Sequence, residues 1–325
     1  MRALVLSQPG PVASLTICEV QNPHPKQGQV RVSVKAVGLN PVDYKLAGRG
    51  NPLWKFPHIL GLDVAGIIDE IGEGVVDWSI GDRVLYHGDL TQPGGFAEYA
   101  ITTAHTIAKI PDSISFTDAA ALPCAGLTAY QGIVRRLNIC NDQIVWVQGG
   151  AGGVGGYGIQ ICKSKNAKVI TTCSSQNKEY VTSLGADHVI DYQTENVLDR
   201  IQEITNGRGV DAVQSAVDVH TANQGVKGLC FGGGISCIAG LPSLSEETFE
   251  KAISIHRIAL GGAHTSNNFN AQTDLAYMAN ELIALVVNGH VDPMITEQIK
   301  LEDIPKGLEQ LETRHFRGKI VAEIE

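Results

Sequence analysis

Charge is what this 325-residue chain has least of: Asp, Glu, Lys and Arg together make up 18% of it, against about 25% in an average soluble domain. No basic run occurs, and 34 acidic residues outweigh 25 basic ones for a net charge of −9. That balance argues against a nucleic acid or an anionic membrane as the main partner. No C-x-x-C pair occurs among the seven scattered cysteines, so neither a disulfide framework nor a cysteine-rich metal lobe is expected. The start, MRALVLSQPG, lacks the apolar core of a signal peptide, and a cytoplasmic location is the expectation. The uncharged run 143–162 reaches membrane-span length, but seven of its residues are glycine. P-loop, H-E-x-x-H and G-x-S-x-G patterns are absent, as is any pair of histidines at metal-binding spacing. No internal repeat or low-complexity linker interrupts the chain.

What is abundant is apolar residues, at 43%, and glycine, with 36 copies. The first allows a sizeable core; the second suggests tight turns and close backbone approaches. At about 150 residues per domain, the length suggests two domains. Residues 1 to about 120 read as β-rich. Val30, Val32, Val34 and Ala36 alternate with Arg31, Ser33 and Lys35, and short strand-like runs follow at 64–71, 83–86, 96–101 and 106–110. Such short, closely spaced strands suggest a compact barrel or sandwich. After Pro123 the pattern changes to strands alternating with helices, which implies a parallel, doubly wound sheet. Its strands are expected at 144–148, 168–172, 188–190, 212–216 and 235–239. A further amphipathic helix is expected at 274–287, and a closing strand at 319–324.

The strand at 144–148 runs directly into Gly149-Gly150-Ala151-Gly152-Gly153-Val154-Gly155-Gly156. Within it Gly150-x-Gly152-x-x-Gly155 fits the dinucleotide fingerprint. The first glycine permits the turn, the second lets backbone approach a pyrophosphate, and the third lets helix and strand pack closely. A glycine-rich turn in an ordinary α/β sheet is the plainer alternative. The end of the second strand, Thr171 to Lys178, carries no carboxylate to bind a ribose 2′-hydroxyl. It offers hydroxyls at Ser174 and Ser175 and a cation at Lys178, which suit the extra phosphate of NADPH. The same serines could instead cap the next helix.

Five further segments, in order along the chain, carry a resemblance. They are Gly38-Leu39-Asn40-Pro41-Val42-Asp43-Tyr44-Lys45, Gly61-Leu62-Asp63-Val64-Ala65-Gly66, Gly81-Asp82-Arg83-Val84, Gly126-Leu127-Thr128-Ala129-Tyr130 and Arg317-Gly318-Lys319-Ile320-Val321. With the glycine turn they resemble the medium-chain dehydrogenase/reductase superfamily. The likeness is to its zinc-free quinone oxidoreductase branch, of the zeta-crystallin and plant alkenal/quinone reductase types.

The resemblance implies an α/β fold: a GroES-like β-barrel-type catalytic domain at 1–123 with 265–325, and a Rossmann dinucleotide-binding domain at 124–264. It implies NADPH as cofactor and an electron-poor quinone or enone as small-molecule partner. Asn40, Tyr44 and Thr128 stand as candidate catalytic donors. Lys45, Gly150, Gly152, Gly153, Val154, Gly155, Ser174, Ser175, Lys178, Tyr192 and Arg317 stand as cofactor contacts. No metal is expected. The zinc-dependent relatives carry Cys-His where this chain resembles them at Asn40-Pro41, and His-Glu at Leu62-Asp63. Only Cys124 matches a ligand position, and a catalytic zinc needs three protein ligands. A homodimer is also implied by the likeness alone. Reduction of saturated aldehydes or ketones, and a non-catalytic NADPH-binding role, are the alternative readings.

Overall fold

The computed structural model describes residues 1–325, the side chain of Glu247 excepted. The chain packs as two units, one formed by Met1–Leu127, Gly261–Val287 and Pro293–Glu325, the other by Thr128–Leu260 and Asn288–Asp292.

The first unit is organised around the strand Gln29–Gly38. Val30, Val32, Val34 and Ala36 are buried while Arg31, Ser33 and Lys35 reach the surface, the period-two pattern of a half-buried strand. It pairs antiparallel with Asp63–Ile71 and Tyr99–Thr103. Asp63–Ile71 in turn pairs with Arg83–His87, and that strand with Ala108–Lys109. At the other end, Lys319–Glu323 closes onto residues 36–38, and Ile295–Lys300 runs parallel beside it. A smaller sheet joins Thr16–Glu19, Arg2–Leu6 and His58–Ile59.

Two expectations for this unit need correcting. The run at 96–101 is a strand only from Tyr99 onward; Phe96 instead buries its ring completely and stops against Gly61. The run at 106–110 is a strand only at Ala108–Lys109. Pro41–Arg49, to which no element was assigned, is a helix. Asn40 is its extended N-cap residue, proline occupies the first turn, and the Asn40 N–H donates to Asp43 Oδ2 at 2.9 Å. Proline's fixed φ and missing N–H suit that position.

The second unit holds a six-stranded sheet, all parallel, in the order His188–Asp191, Lys168–Cys173, Ile144–Gln148, Val210–Ser215, Leu229–Cys237, Ser254–Arg257. Numbered along the chain this is 3-2-1-4-5-6, so the order reverses between the first and fourth strands, where doubly wound sheets bind their ligands. Trp146 of the first strand is fully buried, and Gly228 gives its ring room. The helix Gly153–Ser164 presses close to the sheet, since a Cβ at Gly158 would stand only 1.8 Å from Gln214 Oε1. No helix among the described residues is long and apolar enough to cross a membrane.

Candidate active site

In the second unit, Ile144–Gln148 ends directly in the glycine turn, and the helix begins at Gly153 with Gly152 as its extended N-cap. The glycines divide their labour differently from the sequence reading. The left-handed residue is Gly149, at φ +69°, one position before the fingerprint. Gly150 is needed because a Cβ would lie 2.2 Å from Thr171 Oγ1, and Gly155 because a Cβ would lie 2.2 Å from the Gly149 carbonyl. Gly152 is different: its added Cβ would meet only the Gly149 oxygen, at 3.6 Å. Nothing in the fold demands glycine there, which is what a position facing a ligand looks like. Gly153, Val154 and Gly155 form the first helical turn, whose N–H groups have no acceptor within the helix and favour an anion. A Cβ on Gly149 would come within 2.9 Å of Val217 Cγ2, so the loop after the fourth strand stands beside this turn.

Next to the second strand's end lies a cavity of about 220 Å³ lined by Cys173, Ser174, Ser175, Lys178, Val189, Asp191, Thr194 and Glu195. The three residues singled out for the adenosine phosphate are therefore together. Tyr192, 55% exposed, follows on from Asp191, with its N–H on the Cys173 carbonyl. The acids were not foreseen, because they arrive from the third strand, where Asp191 is the register partner of Cys173. Inspecting every strand's C-terminal residue would have found Asp191. Glu195 is paired with Arg200, Nε to Oε2 at 2.9 Å, and Asp191 Oδ1 accepts the Gln193 N–H. Arg200 thus offsets Glu195, while Asp191 is met by a neutral backbone N–H.

The first unit supplies a buried polar network at one end of its main sheet. Gly38, Asp63 and His87 are successive cross-strand partners, and residues directly opposite on antiparallel strands project to the same face. Gly38 has to lack a side chain, since a Cβ would lie 2.3 Å from the Ala120 carbonyl. The closing strand, entered at Lys319, delivers its ammonium to the Leu39 carbonyl at 3.2 Å, Asn40 Oδ1 at 2.7 Å and Asp63 Oδ2 at 3.5 Å. Asn40 Nδ2 donates to Asp63 Oδ2 at 2.8 Å, and the Cys124 N–H donates to Asp63 Oδ1 at 2.7 Å. Burial, helped by Asp63, pushes the Asp43 carboxyl up to about 8. Burial raises Asp63 too, to about 6, with Lys319 and the Asn40 hydrogen bond working against the rise. Burial lowers His87 to about 3, assisted by the neighbouring His264, whose Nε2 donates to the His87 carbonyl at 2.9 Å.

Asn40, expected to face an acceptor, therefore has its amide committed inward, to Asp63 and Lys319. Tyr44 is half-buried on the helix Pro41–Arg49, and the exposed Lys45 ammonium stands 5.9 Å from its ring centroid. Arg317 is exposed just before the closing strand, its carbonyl accepting from Thr296 Oγ1. These four belong to the first unit; Thr128, buried, opens the second. At the positions corresponding to zinc ligands in the zinc-dependent relatives, Leu62 is apolar and buried and Asn40 is engaged as described, so those positions do not form a zinc set. A different trio does converge: one ligand atom each from Asp63, His87 and Cys124, all within 4.8 Å of one another. Sequence reasoning dismissed Cys124 as a lone thiol because the trio comes from two strands and a distant helical segment, Pro123–Leu127. A second cavity, of about 310 Å³ and lined by Tyr86, Gly88, Asp89, Gln92 and His264 among others, includes none of the sequence-predicted residues.

Comparison with known proteins identifies both units. Residues 26–112 match the alcohol dehydrogenase GroES-like domain, and residues 153–283 match the zinc-binding dehydrogenase family. A chloroplast envelope quinone oxidoreductase homolog of Arabidopsis thaliana is 38% identical over 222 residues, 66% of this chain and 65% of that protein. The chain spans 59–65% of the length of the chloroplast relatives it matches. The quinone oxidoreductase of Lama guanicoe is 30% identical over 330 residues, covering 99% of this chain and 97% of its own. The solved quinone oxidoreductase of Coxiella burnetii, 29% identical, matches at a TM-score of 0.86 over 100% of this chain and 99% of that one. A GroES-like domain followed by a Rossmann domain, with a relative matched along nearly its whole length, places this chain in the medium-chain dehydrogenase/reductase superfamily, in its quinone oxidoreductase branch.

Proposed function

We propose that the protein is an NADPH-dependent, zinc-independent oxidoreductase that delivers hydride to a quinone or an α,β-unsaturated carbonyl. The observation that carries this reading is the glycine turn at the sheet's reversal point, with Gly152 open and the Ser174–Ser175–Lys178 cavity beside the next strand. The diphosphate rests on the first turn of the helix Gly153–Ser164, held by backbone N–H groups and the helix dipole. Ser174, Ser175 and Lys178 take the 2′-phosphate, with Tyr192 beside them; Lys45 and Arg317 are further cofactor contacts. Sequence likeness supports the acceptor class, since several relatives are named quinone oxidoreductases.

The bound nicotinamide supplies the hydride; the chain orients it and excludes water. Oxidising a simple alcohol requires stabilising an alkoxide, which a Lewis-acid metal normally does. A conjugated acceptor lowers that requirement by spreading the incoming charge onto an oxygen that hydrogen-bond donors can satisfy. Tyr44 and Thr128 are the proposed donors, and Asn40 is a positioning residue tied to Asp63 and Lys319. A cytoplasmic homodimer completes the proposal. Asp191, at the rim of the phosphate cavity, favours NADH as the second reading, because its charge opposes a phosphate.

A panel of quinones, enones and their saturated analogues, followed by NADPH absorbance with strong chelator present, tests the proposal. Turnover confined to the conjugated acceptors and unaffected by chelator is expected. Turnover only of saturated carbonyls, or turnover that chelator abolishes and zinc restores, would overturn it.

A further inference from the structure

We infer that Asp191 is a specificity-determining residue for the cofactor: by accepting from a ribose hydroxyl, it admits NADH as a second, weaker cofactor beside NADPH. This rests on the dinucleotide reading proposed above and gives one side chain of that site a role of its own. An acid that reads the ribose is expected at the end of the second strand, and the segment Thr171 to Lys178 has none. The third strand supplies it. Asp191 is the register partner of Cys173, and neighbouring strands lie about 4.8 Å apart. Both residues line the cavity that holds Ser174, Ser175 and Lys178.

The carboxylate is held in place by its own turn. The Asp191 N–H donates to Glu195 Oε1 at 2.8 Å, the Asp191 carbonyl accepts the Glu195 N–H at 2.9 Å, and Oδ1 accepts the Gln193 N–H at 3.0 Å. None of these bonds uses Oδ2, which remains for a ligand hydroxyl. An oxygen fixed in advance loses little freedom when it binds. Glu195, the other acid of the cavity, is neutralised by Arg200 at 2.9 Å, so Asp191 carries the negative charge that a ligand meets. Lys178 carries the positive one. Burial and then Asp191 raise the Cys173 thiol while Lys178 lowers it, so both charges act on the same wall of the cavity. Such a pocket treats its two ligands unequally. A 2′-phosphate is drawn by Lys178 and opposed by Asp191, whereas a 2′,3′-diol offers Asp191 hydroxyl donors and meets no opposition.

The experiment is fluorescence titration of wild type, Asp191→Asn and Lys178→Ala with NADPH and with NADH, at low and at high salt. Wild type should bind both, NADPH more tightly. Asparagine keeps the oxygen that accepts the Gln193 N–H, so the turn should stand. Asp191→Asn should weaken NADH about fivefold or more, the difference between a charged and a neutral acceptor. It should also tighten NADPH about twofold or more, by removing a repulsion. That gain should fade in high salt, which screens charges, while Lys178→Ala should weaken NADPH alone. A purely structural role would weaken both dinucleotides together at either salt. If circular dichroism shows Asp191→Asn unfolded, Asp191→Ser, which also keeps an acceptor oxygen, carries the test. Equal weakening of both dinucleotides, an unchanged NADH affinity, or a wild type that binds NADPH but no NADH would overturn the role of Asp191 and leave the NADPH reading standing. A wild type that binds neither dinucleotide would overturn that reading itself and this inference with it.

Discussion

Lys319 and Asp63, 256 positions apart in the chain, form a buried ion pair with Nζ 3.5 Å from Oδ2. The lysine side chain is 3% exposed and the aspartate 0%. A pair so deeply buried adds little over an apolar replacement of both partners, but removing one alone strands a charge in the interior. Lys319→Met should therefore lower stability by about 3–5 kcal/mol, measured by urea unfolding. Lys319→Met with Asp63→Asn should recover part of that loss. A single-variant loss below about 1 kcal/mol, the value of a surface pair, would contradict this picture of the network.

The glycine turn separates fold from ligand binding. Gly155→Val would push its side chain into the Gly149 backbone, which cannot yield, so this variant should fail to fold or melt far below wild type. Gly152→Val meets nothing closer than 3.6 Å and has an ordinary φ of −81°. It should keep a native circular dichroism spectrum while its NADPH titration becomes flat. Equal behaviour of the two variants would show that the turn is structural throughout.

Cofactor choice rests on Lys178. Hydrogen bonds to charged groups contribute roughly 1.5–3 kcal/mol, less where solvent screens them. Lys178→Ala should weaken NADPH by about 1–3 kcal/mol, roughly five- to 150-fold, and leave NADH nearly unchanged. Ser174→Asp added to it should reverse the preference by repelling the phosphate and accepting from the ribose hydroxyl. Paired titrations at one ionic strength decide the matter. A wild type that already prefers NADH would favour the Asp191-based reading.

His58 gives the pH dependence a sign. Its ring is stacked on Trp54 with centroids 4.0 Å apart, and burial lowers it from 6.5 to about 4. Below pH 6.5 the unfolded chain binds a proton that the folded protein refuses until about pH 4. Stability from this group is thus intact above 6.5 and is lost as pH falls through the window from 6.5 to 4. His58→Phe keeps a stacked ring and removes the proton, so its unfolding free energy should fall less than that of wild type between those pH values. Identical falls would exclude His58 as a contributor.

Local signals were readable and register-dependent ones were not. Strand Gln29–Gly38 shows itself by alternation, and Ile144–Gln148 by an apolar run ending in glycine. The helix Pro41–Arg49 went unassigned, although an N-cap asparagine, a proline in its first turn and an acid at Asp43 spell a helix start. Ile295–Lys300 was passed over because it is an edge strand with one half-exposed apolar face, so its pattern is weak. The glycine turn was legible because its chemistry lies within a few residues. The trio Asp63, His87, Cys124 and the Lys319 contact arise from how strands far apart in sequence align, which no local spacing encodes. Asp191 reached the phosphate cavity in the same way, through its register with Cys173.

The most direct test follows the hydride itself. NADPH carrying deuterium at both nicotinamide C4 positions is mixed with an enone, chelator is present throughout, and the product is examined by NMR. The account predicts one deuterium on the β-carbon of a saturated ketone, with the α-carbon proton drawn from solvent. Deuterium on the carbonyl carbon, or a reduced product carrying none, would contradict it.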